Sequence, residues 1–443
     1  MDHNELIEGK ISTSLLKFAF PFMLASLLQA LYGAADLFVV GQFANSAGVS
    51  AVSTGSQLMQ TITGIFLGIS MGGTVLIGRR VGEKDDDATA KAIGTLSILF
   101  CIFALILTPL MLIFTDKAVT LMHAPIEAIE STRQYIFICS LGIPFIIGYN
   151  GTSSIYRGLG DSKTPVYFVA LASILNIVGD LVFVGIFSMG AGGAALATII
   201  AQGISFFTSL LYMQKKSFNF QLKREHFKIY KDSFKPILKV GCPLALQDGL
   251  VNISFLLITM IINSMGLVAS ASVGVVERIM GFAFLPPSAF SSAVATITAQ
   301  NMGANKPKRA LNSLKCGILY SLMFGIFICL YCQISPESLT SIFSKDNEVI
   351  KNAALYLRSF SIDCVLVSFV FCFNAYFSGC GNSIISLIHS LIATFAVRVP
   401  ISYALSKSTG VTLLEIGFAA PLASLLSIII CTLYFTWLRK KKL

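Results

Sequence analysis

Apolar residues run along this chain in long, nearly unbroken stretches, separated by short polar turns. Segments such as 96–107 and 253–262 are almost wholly apolar, without the strict alternation that a barrel strand requires. In lipid every backbone amide must be satisfied inside the chain, so such stretches predict spanning helices. Twelve are read, at about 15–40, 48–77, 92–114, 131–154, 166–187, 190–213, 240–263, 267–299, 316–334, 353–377, 384–406 and 411–438. Several exceed the roughly 20 residues that cross a hydrocarbon core, which implies tilt or extension beyond it. The expected fold is therefore all-α and polytopic, with twelve transmembrane helices.

Composition agrees with the pattern. Hydrophobic residues make up 55% of the 443 residues and charged residues 12%, where soluble proteins carry about 25% charge. The start, MDHNELIEGK, is polar, and the first apolar run lacks a small-residue cleavage site, so it reads as a retained first helix. Cys329 and Cys332 form a C-x-x-C within an apolar run and read as packing residues. Neither a metal-spaced His/Cys cluster nor a Walker-type phosphate loop occurs. No cofactor is expected, and the chain is not read as an enzyme.

The net charge of +10 reads as membrane orientation rather than nucleic-acid binding. With the amino terminus inside, 24 of the 32 Lys and Arg residues fall in inside loops and tails and 6 outside; Arg278 and Arg398 lie within helices. That bias predicts two cytoplasmic termini and an even number of helices in the cell membrane. The one long basic stretch, 214–239, divides the chain and reads as a solvated linker at an anionic lipid surface. The expected division is 1–214, a basic linker 215–239, and 240–443.

The halves repeat. Gly82 and Gly303, Tyr135 and Tyr356, Gly158 and Gly379, Gly160 and Gly381, and Ser162 and Ser383 share one offset, and Pro21 and Pro243 lie one residue off it. Each half has an even number of helices, so both enter from the same side and should be related by an axis along the membrane normal, as in transporters.

Polar residues at membrane depth are functional candidates by default, because a mid-membrane carboxylate costs about 2.5–3.5 kcal/mol or more. On helix 1, Gln29, Tyr32 and Asp36 share a face; on helix 5, Asn176 and Asp180 lie four apart; Thr198 lies on helix 6. The repeat places Ile258, Val397, Ile401 and Ala419 where Asp36, Asn176, Asp180 and Thr198 stand, so the polar set exists once. Two carboxylates, an amide oxygen and a hydroxyl suit Na⁺, and adjacent carboxylates in low dielectric also suit a proton. A polar patch that only pins helices 1, 5 and 6 is the bland alternative. The second half carries Asp248, Glu277, Arg278, Asp363 and Arg398. Ion pairing of Glu277 or Asp363 with Arg398 is one expectation for them; contact of Asp363 and Asp248 with a cationic substrate is the other. Tyr135 and Asn150 are candidates for the first lobe's cavity.

The stretches FAFP…QALYGAADLFVVG, RGLGDSKTP, LNIVGDLVFVG with Thr198, and FLPPSAFSSAVATITAQNMGA resemble the multidrug and toxic compound extrusion (MATE) family, in order and over essentially the whole chain. The resemblance implies two six-helix lobes and an antiporter exporting organic cations or other amphipathic compounds for Na⁺ or H⁺. It implies a cation site at Asp36, Asn176, Asp180 and Thr198 and helix bending at Pro21; Gln29, Tyr32, Tyr135 and Asn150, read from their positions, are the candidate substrate contacts. The second glycine loop, SGCGNSIIS, lacks counterparts of Arg157, Lys163 and Pro165, and the carboxy-lobe acids of one Na⁺-coupled branch have no clear match. Small molecules and membrane lipid, not nucleic acid, are the expected partners of a monomer. A lipid-linked saccharide flippase of the same superfamily, or a membrane enzyme or sensor, are the other functions considered.

Overall fold

The computed structural model describes residues 5–122, 125–216, 222–408 and 410–441. Among these residues there are helices and no strands. Eleven helices are long and apolar enough to cross a membrane, and a bent pair makes a twelfth span. In chain order they are α1 (Ile11–Phe43), α2 (Ser46–Glu83), α3 (Asp86–Ile113), the pair α4 (Ile126–Leu141 with Ile143–Gly158), α5 (Lys163–Ile186) and α6 (Gly190–Lys215). There follow α7 (Lys231–Asn263), α8 (Leu267–Gly303), α9 (Pro307–Ile334), α10 (Ile362–Gly379), α11 (Ile384–Ser406) and α12 (Leu413–Lys440).

The helices outrun the expected spans. The 38 residues of α2 would reach about 57 Å at 1.5 Å per residue, against a core of about 30 Å. Apolar pattern marks the lipid-embedded part, whereas helix ends are set by caps. Asn45 accepts from the Gly48 amide at 2.9 Å and opens α2, and Asp85 accepts from the Ala88 amide at 2.9 Å and opens α3. Two short helices, Thr115–Leu121 and Pro336–Phe343, lie between spans and carry no spanning pattern. The fourth span bends by 52° around Gly142, where a Cβ would meet Ile199 of α6 at 2.2 Å; Pro144 follows in the next turn. The expected tenth helix is two segments, Asn347–Phe360 and Ile362–Gly379, parted at Ser361.

By contact the described chain forms two compact units. One holds Phe20–Ala245; the other holds Glu5–Ala19 and Leu246–Leu443. The boundaries fall inside α1 and α7, beside Pro21 and Pro243. Each unit has its own apolar core. The first is centred on residues such as Ile77, Leu96 and Tyr156, the second on residues such as Ile262, Val276 and Leu357.

The repeat seen in sequence extends to backbone conformation and packing. Lys84 and its counterpart Asn305 are left-handed at φ 57° and 56°, and Gly160 and Gly381 at φ 87° and 83°. In the first unit a Cβ on Gly158 would lie 3.0 Å from the Thr74 carbonyl and 2.9 Å from Ile77. In the second, a Cβ on Gly379 would lie 2.8 Å from the Ala295 carbonyl and 2.7 Å from Thr298. Each glycine lets the end of one helix close onto the same face of its neighbour. The π-helical turns break the symmetry: Leu181–Ile186 ends α5, while Ala393–Arg398 sits in the middle of α11.

The basic stretch is not simply solvated. A 3₁₀ turn, Arg224–His226, leads to α7. Thr95 of α3 donates to the Lys228 carbonyl at 3.0 Å and accepts from the Tyr230 amide at 3.2 Å. A Cβ on Gly94 would lie 2.0 Å from the His226 carbonyl oxygen, so glycine there is what lets the segment lie against α3. Cys329 and Cys332 are both free thiols.

Candidate functional site

Helix α1 presents Gln29, Tyr32 and Asp36 to the interior of the first unit. Helix α5 carries Asn176 and Asp180 on one face, Asp180 being its last residue before the π turn. Helix α6 approaches α5 closely because both are lined with small residues. A Cβ on Gly179 would meet Ala197 at 2.9 Å, and one on Gly193 would meet the Phe183 backbone at 3.1 Å. That approach brings the Asn176 amide to 3.2 Å from the Thr198 hydroxyl, to which it donates. Thr198 in turn donates to Asp36 Oδ2 across 3.5 Å, a long hydrogen bond. Asp36 is 6% exposed, Asn176 2% and Asp180 0%.

The Asp180 carboxyl neighbours that of Asp36 within hydrogen-bonding reach. Asp36 Oδ1, Asn176 Oδ1 and both oxygens of Asp180 are buried and meet no hydrogen-bond donor among the described residues. Two facing carboxylates cannot bond to each other unless a proton or cation lies between them. The four cluster residues therefore come together as one oxygen-rich, donor-poor centre.

A cavity of about 540 Å³ opens beside it within the first unit. Its walls include Gln29, Tyr32, Tyr135 and Asn150, the four candidate substrate contacts, together with Asp36 and Thr198. Asn150 spends its amide on the Ile146 carbonyl of its own helix, at 2.9 Å. Among the described residues, Asp36 is the one charged side chain in the lining. A second, small void is bounded by Gln29, Tyr32, Asn176, Thr198 and Gln202, among others. Asp36 thus belongs to both the carboxyl pair and the cavity wall, while Asp180 is fully buried outside the cavity lining.

Gln202 was not singled out in the sequence, yet it lines both spaces and its Oε1 is buried without a donor. The signal was available: it follows Thr198 by one helical turn on the same face. Gln60, Ser56 and Thr63 of α2 also line the cavity and were missed. They stand among many small polar residues on one long helix, and only packing picks them out.

In the second unit the expected ion pairs do not form. Among the described residues no carboxylate lies within ion-pairing distance of Arg398, whose guanidinium sits 4.2 Å from the Phe255 ring centre. Asp363 is buried with one oxygen unsatisfied, Glu277 is half-buried, and Asp248 and Arg278 are exposed. Pro21 lies inside α1 without a helix break.

The MatE family model matches residues 21–182 and again 243–404, one match for each half. The matches begin at Pro21 and Pro243. The chain belongs to this family of multidrug efflux transporters and is a multi-pass membrane protein. It is 26% identical over 436 residues to the probable multidrug resistance protein YoeA of Bacillus subtilis, covering 97% of this chain and 94% of that protein. It is 25% identical over 407 residues to the multidrug export protein MepA of Staphylococcus haemolyticus, covering 91% and 89%. A crystal structure of MATE in the straight conformation superposes with a TM-score of 0.91 at 22% identity, covering 100% of this chain and 98% of that one. That likeness fixes the two-lobed fold.

Proposed function

We propose that this transporter is an antiporter that exports organic cations or other amphipathic compounds, in exchange for Na⁺ or H⁺. The observation that carries the proposal is the shared position of Asp36. Its carboxyl is one wall of the substrate-sized cavity and also one half of a buried carboxyl pair whose oxygens lack donors. An ion or proton held by Asp36, Asn176, Asp180 and Thr198 neutralises the pair. When it leaves, the charge on Asp36 faces the cavity and favours a cationic substrate. Occupancy of one site thus changes the affinity of the other, which is the linkage an exchanger needs.

For Na⁺, the unsatisfied oxygens of Asp36, Asn176 and Asp180 are hard ligands of the right type. For H⁺, the same facing carboxyls share one proton. One charge moving through about 100 mV supplies about 2.3 kcal/mol, roughly a fifty-fold concentration ratio. Gln29, Tyr32, Tyr135 and Asn150 would contact the substrate, and Pro21 would permit α1 to bend as Asp36 changes charge. In the same reading the single chain is the transport unit, with both termini in the cytoplasm. A saccharide flippase would need a cationic cavity for diphosphate, whereas among the described residues this cavity is lined by no Lys or Arg.

Proteoliposomes with imposed Na⁺ or H⁺ gradients and a panel of cationic dyes test the proposal. Dye movement should follow one of the two gradients and stop when it is collapsed. Dye flux indifferent to both would overturn it.

A further inference from the structure

The segment between α6 and α7 has a construction that transport does not use. Its inner side is fastened to α3. Thr95 holds both the Lys228 carbonyl and the Tyr230 amide, His226 is buried with Nε2 3.3 Å from Asp87, and the Tyr230 hydroxyl donates to the Glu225 carbonyl at 2.6 Å. Lys91, paired with Asp87 at 2.5 Å, lies over the Tyr230 ring. Its outer side presents Phe227 and Ile229, which are 42% and 47% exposed. Around them stand Lys223, Arg224, Lys228, Lys231 and Lys235, all exposed. The acidic residues between 222 and 239 are Glu225 and Asp232, and Glu225 lies 3.7 Å from Lys223.

Isolated exposed apolar side chains are ordinary. Two exposed in a segment whose backbone is pinned to α3, with five exposed basic residues beside them in the chain, are a different arrangement. In α6, which precedes the segment in the chain, the last turns expose Phe207, Leu211 and Tyr212 as a lipid-facing helix does. Rings and branched chains enter the headgroup layer, while ammonium and guanidinium groups meet phosphate. Because the segment is already ordered on α3, contact with the surface costs little further conformational freedom.

We propose that residues 223–231 are an interfacial anchor for an anionic phospholipid bilayer, with Phe227 and Ile229 entering the headgroup layer and Lys223, Arg224, Lys228 and Lys231 meeting lipid phosphates. The anchor fixes the ends of α3 and α7 at the membrane surface.

The chain has one tryptophan, Trp437, so a single reporter is obtained from Trp437→Phe with Phe227→Trp. The full-length protein is reconstituted into vesicles containing brominated phosphatidylglycerol or brominated phosphatidylcholine at equal mole fraction. The expected result is quenching by the anionic lipid stronger by about two-fold or more, shrinking at high salt. The preference should vanish when Lys223, Arg224, Lys228 and Lys231 are all changed to Gln, substitutions at exposed positions that leave the anchoring to α3 in place. A second reporter, Ile229→Trp, guards against a local defect at 227. Equal quenching by both lipids would overturn the proposal. So would quenching by aqueous acrylamide with neither lipid effective, the outcome if this face meets water or a soluble protein.

Discussion

The Thr198 hydroxyl donates to Asp36 Oδ2 across 3.5 Å although the two residues stand 162 positions apart in the chain. Asn176 donates to the same hydroxyl, so Thr198 hands its one proton to Asp36 and leaves Asp180 with no donor. Removing the charge of either carboxyl while keeping its shape should remove the reason for an ion or proton to bind. Asp36→Asn and Asp180→Asn are each expected to reduce gradient-driven efflux to the level of protein-free vesicles. Both should leave the purified protein monodisperse on size exclusion. Parental efflux by either variant would refute a coupling role, and loss of folded protein in both would favour a packing role.

Thr198→Val keeps the side chain's shape and deletes the hydroxyl. A hydrogen bond this long contributes about 1 kcal/mol, so the coupling-ion concentration for half-maximal efflux should shift by about five-fold. Dye affinity measured without a gradient should change less. An unchanged ion dependence would remove Thr198 from the site.

The acids of the second unit are expected to behave differently. Asp363→Asn, Glu277→Gln and Asp248→Asn should alter substrate range or stability and keep the dependence on the gradient. None of them lies within ion-pairing distance of Arg398, so neutralising one breaks no direct ion pair. Removing its ring partner by Phe255→Leu should cost about 1 kcal/mol instead. An amide that uncouples dye efflux while dye binding and Tm are unchanged would extend coupling into the second unit.

Stability in acid should report on Asp161, which lies in the turn between α4 and α5. Its burial works to raise its pKa, but hydrogen bonds from Lys216 at 2.5 Å and from Thr164 outweigh this and hold the carboxyl below the usual range. A group depressed on folding contributes stability above its unfolded pKa of about 3.9 and loses it as pH falls through the lower folded value. Asp161→Asn should therefore lower stability by about 1–2 kcal/mol at neutral pH. The Tm difference from the parent should be flat above about pH 5 and close below about pH 4. A difference that grows on acidification would refute the assignment.

The duplicated glycine contacts make a paired prediction. Gly158→Ala and Gly379→Ala each drive a methyl group against a backbone carbonyl, at 3.0 Å from Thr74 and 2.8 Å from Ala295. Each should cost about 1–3 kcal/mol, measured as a fall in Tm in detergent. Indifference at both positions would mean that the helix ends are not closely packed.

Much of this protein was legible without coordinates. Twelve spans followed from apolar run length, because lipid forces helices. The repeat followed from matched glycines, because a left-handed turn such as that at Gly160 and Gly381, at φ 87° and 83°, tolerates little else. The cluster residues were legible because carboxylates in lipid are costly and because the second half offers Ile258, Val397, Ile401 and Ala419 in their place. Pattern did not give the ends of α2, set by Asn45 and by the turn at Lys84, because capping depends on single residues rather than on periodicity. Nor did it give the meeting of α1, α5 and α6, which is a matter of shape. Gly179, Gly193 and Ala197 permit the approach of α5 and α6, and only the approach shows that Gln202 joins the cavity wall while Asp180 stays outside it. The same distinction holds for Arg398, where charge alone suggested a carboxylate partner and geometry supplied the Phe255 ring. Sequence determines which residues are too costly to bury without a reason; tertiary packing decides which of them bury one another.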